Sequence, residues 1–430
     1  MKTLDRDPEL QQRLLHINCA VARSVQREWA EQSVHARLSL IKNLRHEIAG
    51  QARELASVAA AVAARPVSEK LISEVLPVAD ACRWLEREAA SILAPRYHGR
   101  RHRPFWLSGA SFSVQHQALG LVLVIGPRNY PLFLPAVQAL HALVAGNAVL
   151  LKPAPGTRGV ALFFWRLFVA AGFDPRLLTI LPEDISAGTA AIDRGVDKVF
   201  FTGSSEHGRD LLRHLAATNT PSVMELSGAD AVIGLADADI DLMVRAIRFG
   251  LHWNNGDTCV APSLILAHES IARRLRAQLV RAGVDSLAVE TFTDESEVIH
   301  LAAQNDFALG VSIFSRDARR ATVLAGRITT GFAIINDLLV PTADPRLPFG
   351  GLRASGFGVT RGREGLLEMT HPHAVVVRRG QSRRHYEPLA AGDDKFFTDY
   401  IVAAHGRSFL ARVSALWSIL RTIVRLKENK

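Results

Sequence analysis

LGLVLVIGPRNYPLFLPAVQALHALVAGNAVLLKP, residues 119–153, reads as strand, helix, strand. Leu119–Ile125 is an unbroken apolar run, Ala148–Leu151 is a second, and Leu132–Val144 between them carries helical spacing. Short apolar runs joined by a helix are the mark of a parallel α/β sheet whose strands are covered on both faces. Pro131–Leu151 is also the most membrane-like segment of the chain. Gln138, His141, Gly146 and Asn147 interrupt it and Lys152 follows it. A span needs about 20 predominantly apolar residues, so this segment is read as a buried helix and strand.

The pattern extends downstream. A helix over Val160–Ala171 is followed by strands at Leu178–Leu181 and Lys198–Phe201, the latter running into Thr202, Gly203 and Ser204. After Glu225 come a strand at Ala231–Leu235, a helix at Ile240–Leu251 and a loop to Cys259. Leu264–Leu266, a helix to Val284, a helix over Glu295–Ala303, and strands at Val311–Phe314 and Phe332–Ile335 complete the series. Upstream, Leu10–Ala94 is a helical layer, with Leu40, Ile41, Leu44, Ile48 and Leu55, Val58, Val62 at helical spacing. The expectation is an α/β chain of two lobes meeting near residue 225, with no internal repeat and no low-complexity linker. The divisions are 1–224, 225–347, 348–380 and a tail, 381–430.

With 430 residues, 48% hydrophobic and 22% charged, the chain is long enough for two cores and is of ordered, globular type. Three cysteines make no disulfide framework, which points to a reducing compartment. Cys19 and Cys82 fall in helical patterns and are read as packing residues. Met1–Glu9 is charged and lacks the apolar segment of a secretory leader, so the cytoplasm is the expected location. Of the formal charge of +9, residues 378–430 carry +6, which leaves the body close to neutral and gives a nucleic-acid groove little support.

The third cysteine is different. Asn254, Asn255, Gly256, Asp257 and Thr258 precede Cys259 and Pro262 follows it, which describes a shaped loop. Glu225, Leu226, Ser227 and Gly228 form a second polar corner. A thiol and a carboxyl on turns suit covalent catalysis, with a thiolate attacking an electrophilic carbon and a carboxylate activating the water that releases the product. The alternative is a buried, inert cysteine beside a solvated glutamate.

The other strand ends carry their own corners: Gly126–Pro131 after Ile125, Lys152–Pro155 after Leu151, and Thr202–Ser205 after Phe201. Ligands of open α/β sheets sit at such ends, where loops and helix N-termini expose backbone donors. No Gly-x-Gly-x-x-Gly fingerprint is present. In this order, Gly126–Pro131, Gly146–Pro153, Phe201–Ser204, Glu225–Gly228 and Gly256–Cys259 resemble the aldehyde dehydrogenase superfamily. So do Pro348–Gly351, Ser355–Gly356 and Arg363–Leu366, so that the likeness covers roughly residues 15–380.

The resemblance implies a Rossmann-type cofactor lobe and an α/β catalytic lobe that together oxidise an aldehyde to a carboxylic acid with NAD or NADP. It casts Cys259 as nucleophile, the Asn129 amide and the Cys259 N–H as holders of the oxyanion, and Glu225 as activator of the hydrolytic water. Lys152 would meet the adenosine ribose, Gly203 and Ser204 the pyrophosphate, with Pro127 and Leu226 also lining the cofactor cleft. It further implies a homo-oligomer. An acyl-transferring or acyl-reducing relative and a degenerate scaffold remain the alternatives.

Departures from the family pattern accompany these matches. Ser227 stands where glycine is usual, Pro155 where an acid partners the ribose, and Arg128 where an aromatic residue precedes Asn129. Between Ile271 and Leu287 the chain lacks several dozen residues ending in the Glu-x-Phe-Gly-Pro segment that clasps the nicotinamide ribose. Glu290 could substitute, although its position fits the following strand better. His371, Pro372 and His373 are read as a surface turn with no metal, since further ligands at suitable spacing are absent. The basic cluster Arg96, His98, Arg100, Arg101, His102 and Arg103 is read as a solvated connection before a strand at Ser111–Val114, in a region where the family pairs subunits. In the tail, Phe409, Val413, Leu416, Trp417, Leu420, Ile423 and Val424 recur at helical spacing beside Arg412, Arg421 and Arg425, with Ser408 as N-cap. Such a helix suits either a protein surface or peripheral contact with an anionic membrane.

Overall fold

The run Leu121–Ile125 lies inside a six-stranded sheet, in the spatial order Gly356–Phe357, Ser222–Glu225, Lys198–Thr202, Leu121–Ile125, Ala148–Lys152, Leu178–Ile180. The computed structural model describes residues 8–99, 101, 103–107, 109–380, 386, 388–389 and 393–428; Arg100 and His102 of the basic cluster and residues 1–7 lie outside these. The chain divides into two compact units, Met1–Tyr97 with Ser113–Val375, and His98–Phe112 with Val376–Lys430.

Both large sheets belong to the first unit. In the six-stranded sheet all neighbours are parallel except Gly356–Phe357, which pairs antiparallel with Ser222–Glu225. The three strands Leu121–Ile125, Ala148–Lys152 and Lys198–Thr202 are buried at every residue, as their unbroken apolar sequence requires. The helix Phe133–Val144 is apolar nearly all round and is likewise buried throughout. Ile41, Leu44 and Ile48 of the helix Val34–Gly50, and Leu55 of Ala52–Ala63, are fully buried in the same core, as are Cys82 and, nearly so, Cys19. From Leu121–Ile125 the chain proceeds to Ala148–Lys152 and Leu178–Ile180, then returns to the opposite side through Lys198–Thr202. The strand order therefore reverses at Leu121–Ile125, and the crevice at the carboxyl ends there is where such sheets bind ligands.

The five-stranded sheet runs Val289–Phe292, Pro262–His268, Asp230–Gly234, Gly310–Phe314, Phe332–Ile335, parallel throughout. Only residues 282–288 separate the helix Glu269–Arg281 from the edge strand Val289–Phe292. Glu290 is an exposed residue of that strand, in register with Leu266, and does not line the cleft described below.

Two surface expectations need correction. His371, Pro372 and His373 are not a turn but the start of an exposed strand, Thr370–Arg378, because the β-branched Val375–Val377 carry the extended backbone back through them. This strand lies at the edge of a three-stranded sheet of order Arg96–His98, Ala110–Ala118, Thr370–Arg378, where proline is tolerated. Arg96 and His98 accordingly sit in an exposed strand rather than an irregular connection.

In the second unit the helices Asp393–His405 and Phe409–Glu428 pack as a hairpin, with Ala403 and Ala415 buried. Lys395 Nζ donates to Ser418 Oγ at 2.9 Å and Arg412 Nε to the Ala403 carbonyl at 3.0 Å. Ser408 Oγ accepts from Ala411 N at 3.4 Å, the cap its position foretold. Phe409, Leu410, Leu416, Trp417, Leu420 and Val424 remain exposed; the side chain of Arg425 lies outside the described residues.

Candidate active site

A cavity of about 790 Å³ opens at the strand-order reversal. Its size falls within the roughly 300–1,000 Å³ of small-molecule sites. Pro127, Asn129, Lys152, Gly203, Ser204, Glu225, Leu226 and Cys259 all line it. A second cavity of about 80 Å³ shares Leu134, Glu225, Thr258 and Cys259 with the first, and its remaining wall is mostly apolar and aromatic, including Tyr130, Phe133, Trp253 and Phe349.

Local sequence explains how the thiol is presented. Asn254, Asn255 and Gly256 take φ values of 50°, 59° and 72°, a left-handed run that Asn and Gly adopt most readily. Asn254 Nδ2 donates to the carbonyls of Asn129 (3.1 Å) and Asp257 (3.0 Å), tying the two loops together. Lys70 Nζ, itself buried, donates to Asn254 Oδ1 at 3.0 Å and lies 2.9 Å from Glu74 Oε1. The other Glu74 oxygen accepts from Leu132 N and Phe133 N, capping the helix Phe133–Val144. Lys70 immediately precedes, and Glu74 lies within, a π-helical turn, Leu71–Val75, of the kind often found beside functional sites. Sequence reasoning missed this pair. Its one signal was an i, i+4 pair of opposite charges in an otherwise core-facing stretch.

The Cys259 thiol lies 3.9 Å from Glu225 Oε1. Glu225 is buried, and Thr202 Oγ1 donates to its Oε2 at 3.4 Å while accepting from Gln138 Nε2 at 3.1 Å. Burial pushes the Glu225 carboxyl above the usual range, opposed by the Arg361 charge and by the bonds from Thr202 and Cys259. Burial also raises the Cys259 thiol well above its ordinary value, the charges of Glu225 and Asp230 add to that, and Arg361 opposes it. The resting pair is thus a thiol beside a reluctant carboxylate. Asn129 Nδ2 donates to the Asp257 carbonyl at 3.1 Å, while its Oδ1 accepts from Tyr130 N. An amide nitrogen carries two hydrogens, so one donor is left for another acceptor. A β-carbon on Gly228 would lie 2.2 Å from the Cys259 carbonyl oxygen, which is why this corner ends in glycine.

The cofactor end of the cleft also has a physical basis. Ser204 caps the helix Ser205–Thr218 through His207 N, and the positive end of that helix faces the cavity with Gly203. Ser227 Oγ accepts from Ser205 N at 3.2 Å, so the hydroxyl absent from the family pattern occupies one N–H of this terminus. His207, Asp210 and His214, on one face of the same helix, line the cleft too and were not foreseen. Lys152 is buried; burial lowers its ammonium, and Asp184 and Glu183 counteract this. Glu183 accepts from Gly156 N (3.0 Å) and Arg158 N (2.6 Å). Pro155 stands where the family pattern has an acid, and acidic charge reaches Lys152 instead from Glu183 and Asp184 at the next strand end.

The residues present fit a dinucleotide: a long cleft at the strand-order reversal, a helix N-terminus, a buried cation, and glycines where a backbone must come close. The sequence matches the model of the aldehyde dehydrogenase family over residues 2–285 and 286–375, a break that falls where the segment after Ile271 was expected to be short. It is 28% identical to the 4,4'-diapolycopene aldehyde oxidase of Methylomonas sp, over 87% of this chain and 84% of that one. Identity to the 4,4'-diaponeurosporen-aldehyde dehydrogenase of Staphylococcus aureus is 26%, over 66% of this chain and 78% of the relative. The structure of PnpE from Pseudomonas sp. WBC-3 in complex with nicotinamide adenine dinucleotide superposes with a TM-score of 0.78 at 21% identity, covering 86% of this chain and 91% of that one, which shows a common fold.

Proposed function

The chain belongs to the aldehyde dehydrogenase family, and we propose that its oxidation of aldehydes proceeds through a Cys259 thioester hydrolysed with the help of Glu225. It is an oxidoreductase that uses NAD or NADP. The observation that carries the mechanism is the Cys259 thiol 3.9 Å from a buried Glu225 carboxyl where the two cavities meet.

Cys259 loses its proton, with Glu225 the nearest base, and its sulfur adds to the aldehyde carbon to give a hemithioacetal. The oxyanion is held by the free Asn129 amide hydrogen and the Cys259 N–H. A nicotinamide bound in the cleft would supply the hydride acceptor needed to take this adduct to the thioester. Once Glu225 has passed that first proton to solvent, it takes a proton from water as its oxygen attacks the acyl carbon; the C–S bond breaks, the Glu225 proton returns to the sulfur, and the acid product loses its own proton to solvent as a carboxylate. Lys152, Gly203, Ser204, Pro127 and Leu226 hold the dinucleotide. Residues 1–224 serve as cofactor domain, 225–347 as shortened catalytic domain, 348–380 as return segment and 381–430 as tail.

The mostly apolar and aromatic wall of the second cavity favours an apolar aldehyde, and relatives are named for 4,4'-diapolycopene aldehyde and 4,4'-diaponeurosporen-aldehyde. Self-association, a cytoplasmic location and contact of the tail with an anionic membrane belong to the same reading. The exposed apolar side chains on a basic hairpin support that contact, and no described helix is long and apolar enough to cross a membrane. Unchanged liposome co-sedimentation on deleting Ser408–Lys430 would remove the membrane part.

The test of the mechanism is turnover of an apolar aldehyde with each dinucleotide. Cys259→Ala should abolish it. Glu225→Gln should slow deacylation by roughly 10² to 10⁴-fold and let an acyl-enzyme accumulate for mass spectrometry. Equal turnover in wild type and Cys259→Ala would refute the nucleophile.

A further inference from the structure

The second cavity contains a buried cation that the mechanism above does not use. Arg361 is 4% exposed and lines this cavity together with Cys259 and Glu225. Its guanidinium is clamped between two aromatic rings, 5.3 Å from the centroid of Phe133 and 4.3 Å from that of Phe349. Nη1 donates to the Thr342 carbonyl, whereas Nε is buried and meets no partner. No carboxylate among the described residues forms an ion pair with it, and Glu225 acts on it only through its field while bonded to Thr202 and the thiol. The backbone there is held in a left-handed conformation at both Arg361 (φ 61°) and Gly362 (φ 61°). A buried charge without a bonded counter-ion, and a buried donor without an acceptor, are each costly. Both are relieved if the cavity fills with an anion.

We propose that Arg361 is the carboxylate-recognition group of the reaction centre, its free Nε–H receiving the carboxylate that forms when the Cys259 thioester is hydrolysed. This rests on the thioester reading. The chamber is lined by the Cys259 sulfur, Glu225 and Arg361 together, which places the anion at the reacting carbon. A carboxylate also can come from the far end of a substrate, and the two sources are separable. The guanidinium is planar and stays charged, so it suits a carboxylate better than an ammonium would.

Two alkylating agents of nearly equal size give the test: iodoacetate, an anion, and iodoacetamide, its neutral counterpart. Both report thiolate reactivity, so the ratio of their rates at Cys259 cancels any change in the thiol and isolates recognition of the charge. Peptide mapping fixes the labelled residue. In Arg361→Met the iodoacetate to iodoacetamide ratio should fall about tenfold or more, as expected for loss of a charge-assisted bond, and Arg361→Lys should restore part of it. If Arg361→Met does not fold, the wild type still decides: hexanoate should protect Cys259 from iodoacetamide at concentrations at which hexanamide does not. An unchanged ratio in folded Arg361→Met, or equal protection by the acid and the amide, overturns the assignment. An Arg361→Met or Arg361→Lys effect on turnover confined to aldehydes bearing a distant carboxylate would move the anion to the substrate's far end and overturn it as well. Labelling needs no turnover, so failure of the thioester mechanism would appear separately, as an enzyme that is alkylated selectively yet forms no acyl intermediate.

Discussion

Asp230 is the residue whose removal should strengthen the protein. It opens the strand Asp230–Gly234, is 6% exposed, and accepts only the Gly310 N–H on its side chain, at 3.0 Å. Burial pushes its carboxyl up to about 7 from an ordinary 3.8, the Gly310 bond offsetting only part of this. The sign follows from proton counting. Between pH 3.8 and 7 the folded chain keeps a proton that the unfolded chain has released, so stability falls as pH rises through that window and levels off above it. A gap from 3.8 to about 7 corresponds to roughly 4 kcal/mol lost by pH 8. Asp230→Asn keeps an acceptor for Gly310 and removes the ionisation. Near pH 4.5 the variant should match wild type or be weaker by about 1 kcal/mol, reflecting its new amide hydrogens. Above pH 7 it should be the more stable. The assay is the difference in melting temperature between variant and wild type, followed from pH 4.5 to 8.5. Because the Asp230 charge also raises the Cys259 thiol, alkylation of the variant by iodoacetamide should be faster above pH 7. A melting difference that does not change with pH would refute the argument.

Further outcomes follow from the cofactor end. Glu290 is exposed on an edge strand away from the cleft, so the nicotinamide ribose lacks the carboxylate clasp of the family pattern. Single-turnover hydride transfer should therefore be slow while Cys259 alkylates readily, and Glu290→Gln should change neither rate; fast transfer would mean that other groups hold the ring. Ser227→Gly frees the Ser205 N–H at the helix terminus and should tighten dinucleotide binding several-fold in a fluorescence titration, with an unchanged affinity counting against competition by the hydroxyl. Glu183→Gln removes negative charge near Lys152 while retaining an acceptor for Gly156 and Arg158, and should shift the affinity ratio of NADP to NAD several-fold toward NADP; an unaltered ratio would show that Glu183 does not face the 2′-phosphate.

The strands were legible because burial on both faces writes them as unbroken apolar runs: Leu121–Ile125, Ala148–Lys152 and Lys198–Thr202 fall within a residue or two of where the sequence puts them. The corners were legible because turns at strand ends need Gly, Asn and Pro, and eight such corners in order identify a family. What escaped were the partners that reach the site from distant parts of the chain. Lys70 and Glu74 read as ordinary helix charges until the fold brings them to Asn254 and Leu132. Glu183 brings acidic charge near Lys152 from a different strand end, and no local pattern announces that. The misread histidines failed for the opposite reason: a local signal, proline between two polar residues, gave way to the β-branched run that follows it.

Electrostatics at the reaction centre unite these features. The charges of Glu225 and Asp230 both raise the Cys259 thiol, burial raises the Glu225 carboxyl, and Arg361 is the cation whose field opposes the rise at Glu225 and Cys259. Without it, burial would favour a protonated Glu225 and an inert thiol. With it, negative charge at Glu225 and Cys259 is favoured. On the proposed path negative charge would pass from the Cys259 sulfur to the oxyanion, leave with the hydride, and reappear on the carboxylate product. The aromatic clamp of Phe133 and Phe349 serves this role by keeping water from screening the guanidinium, which leaves its field strong at the sulfur and the carboxyl.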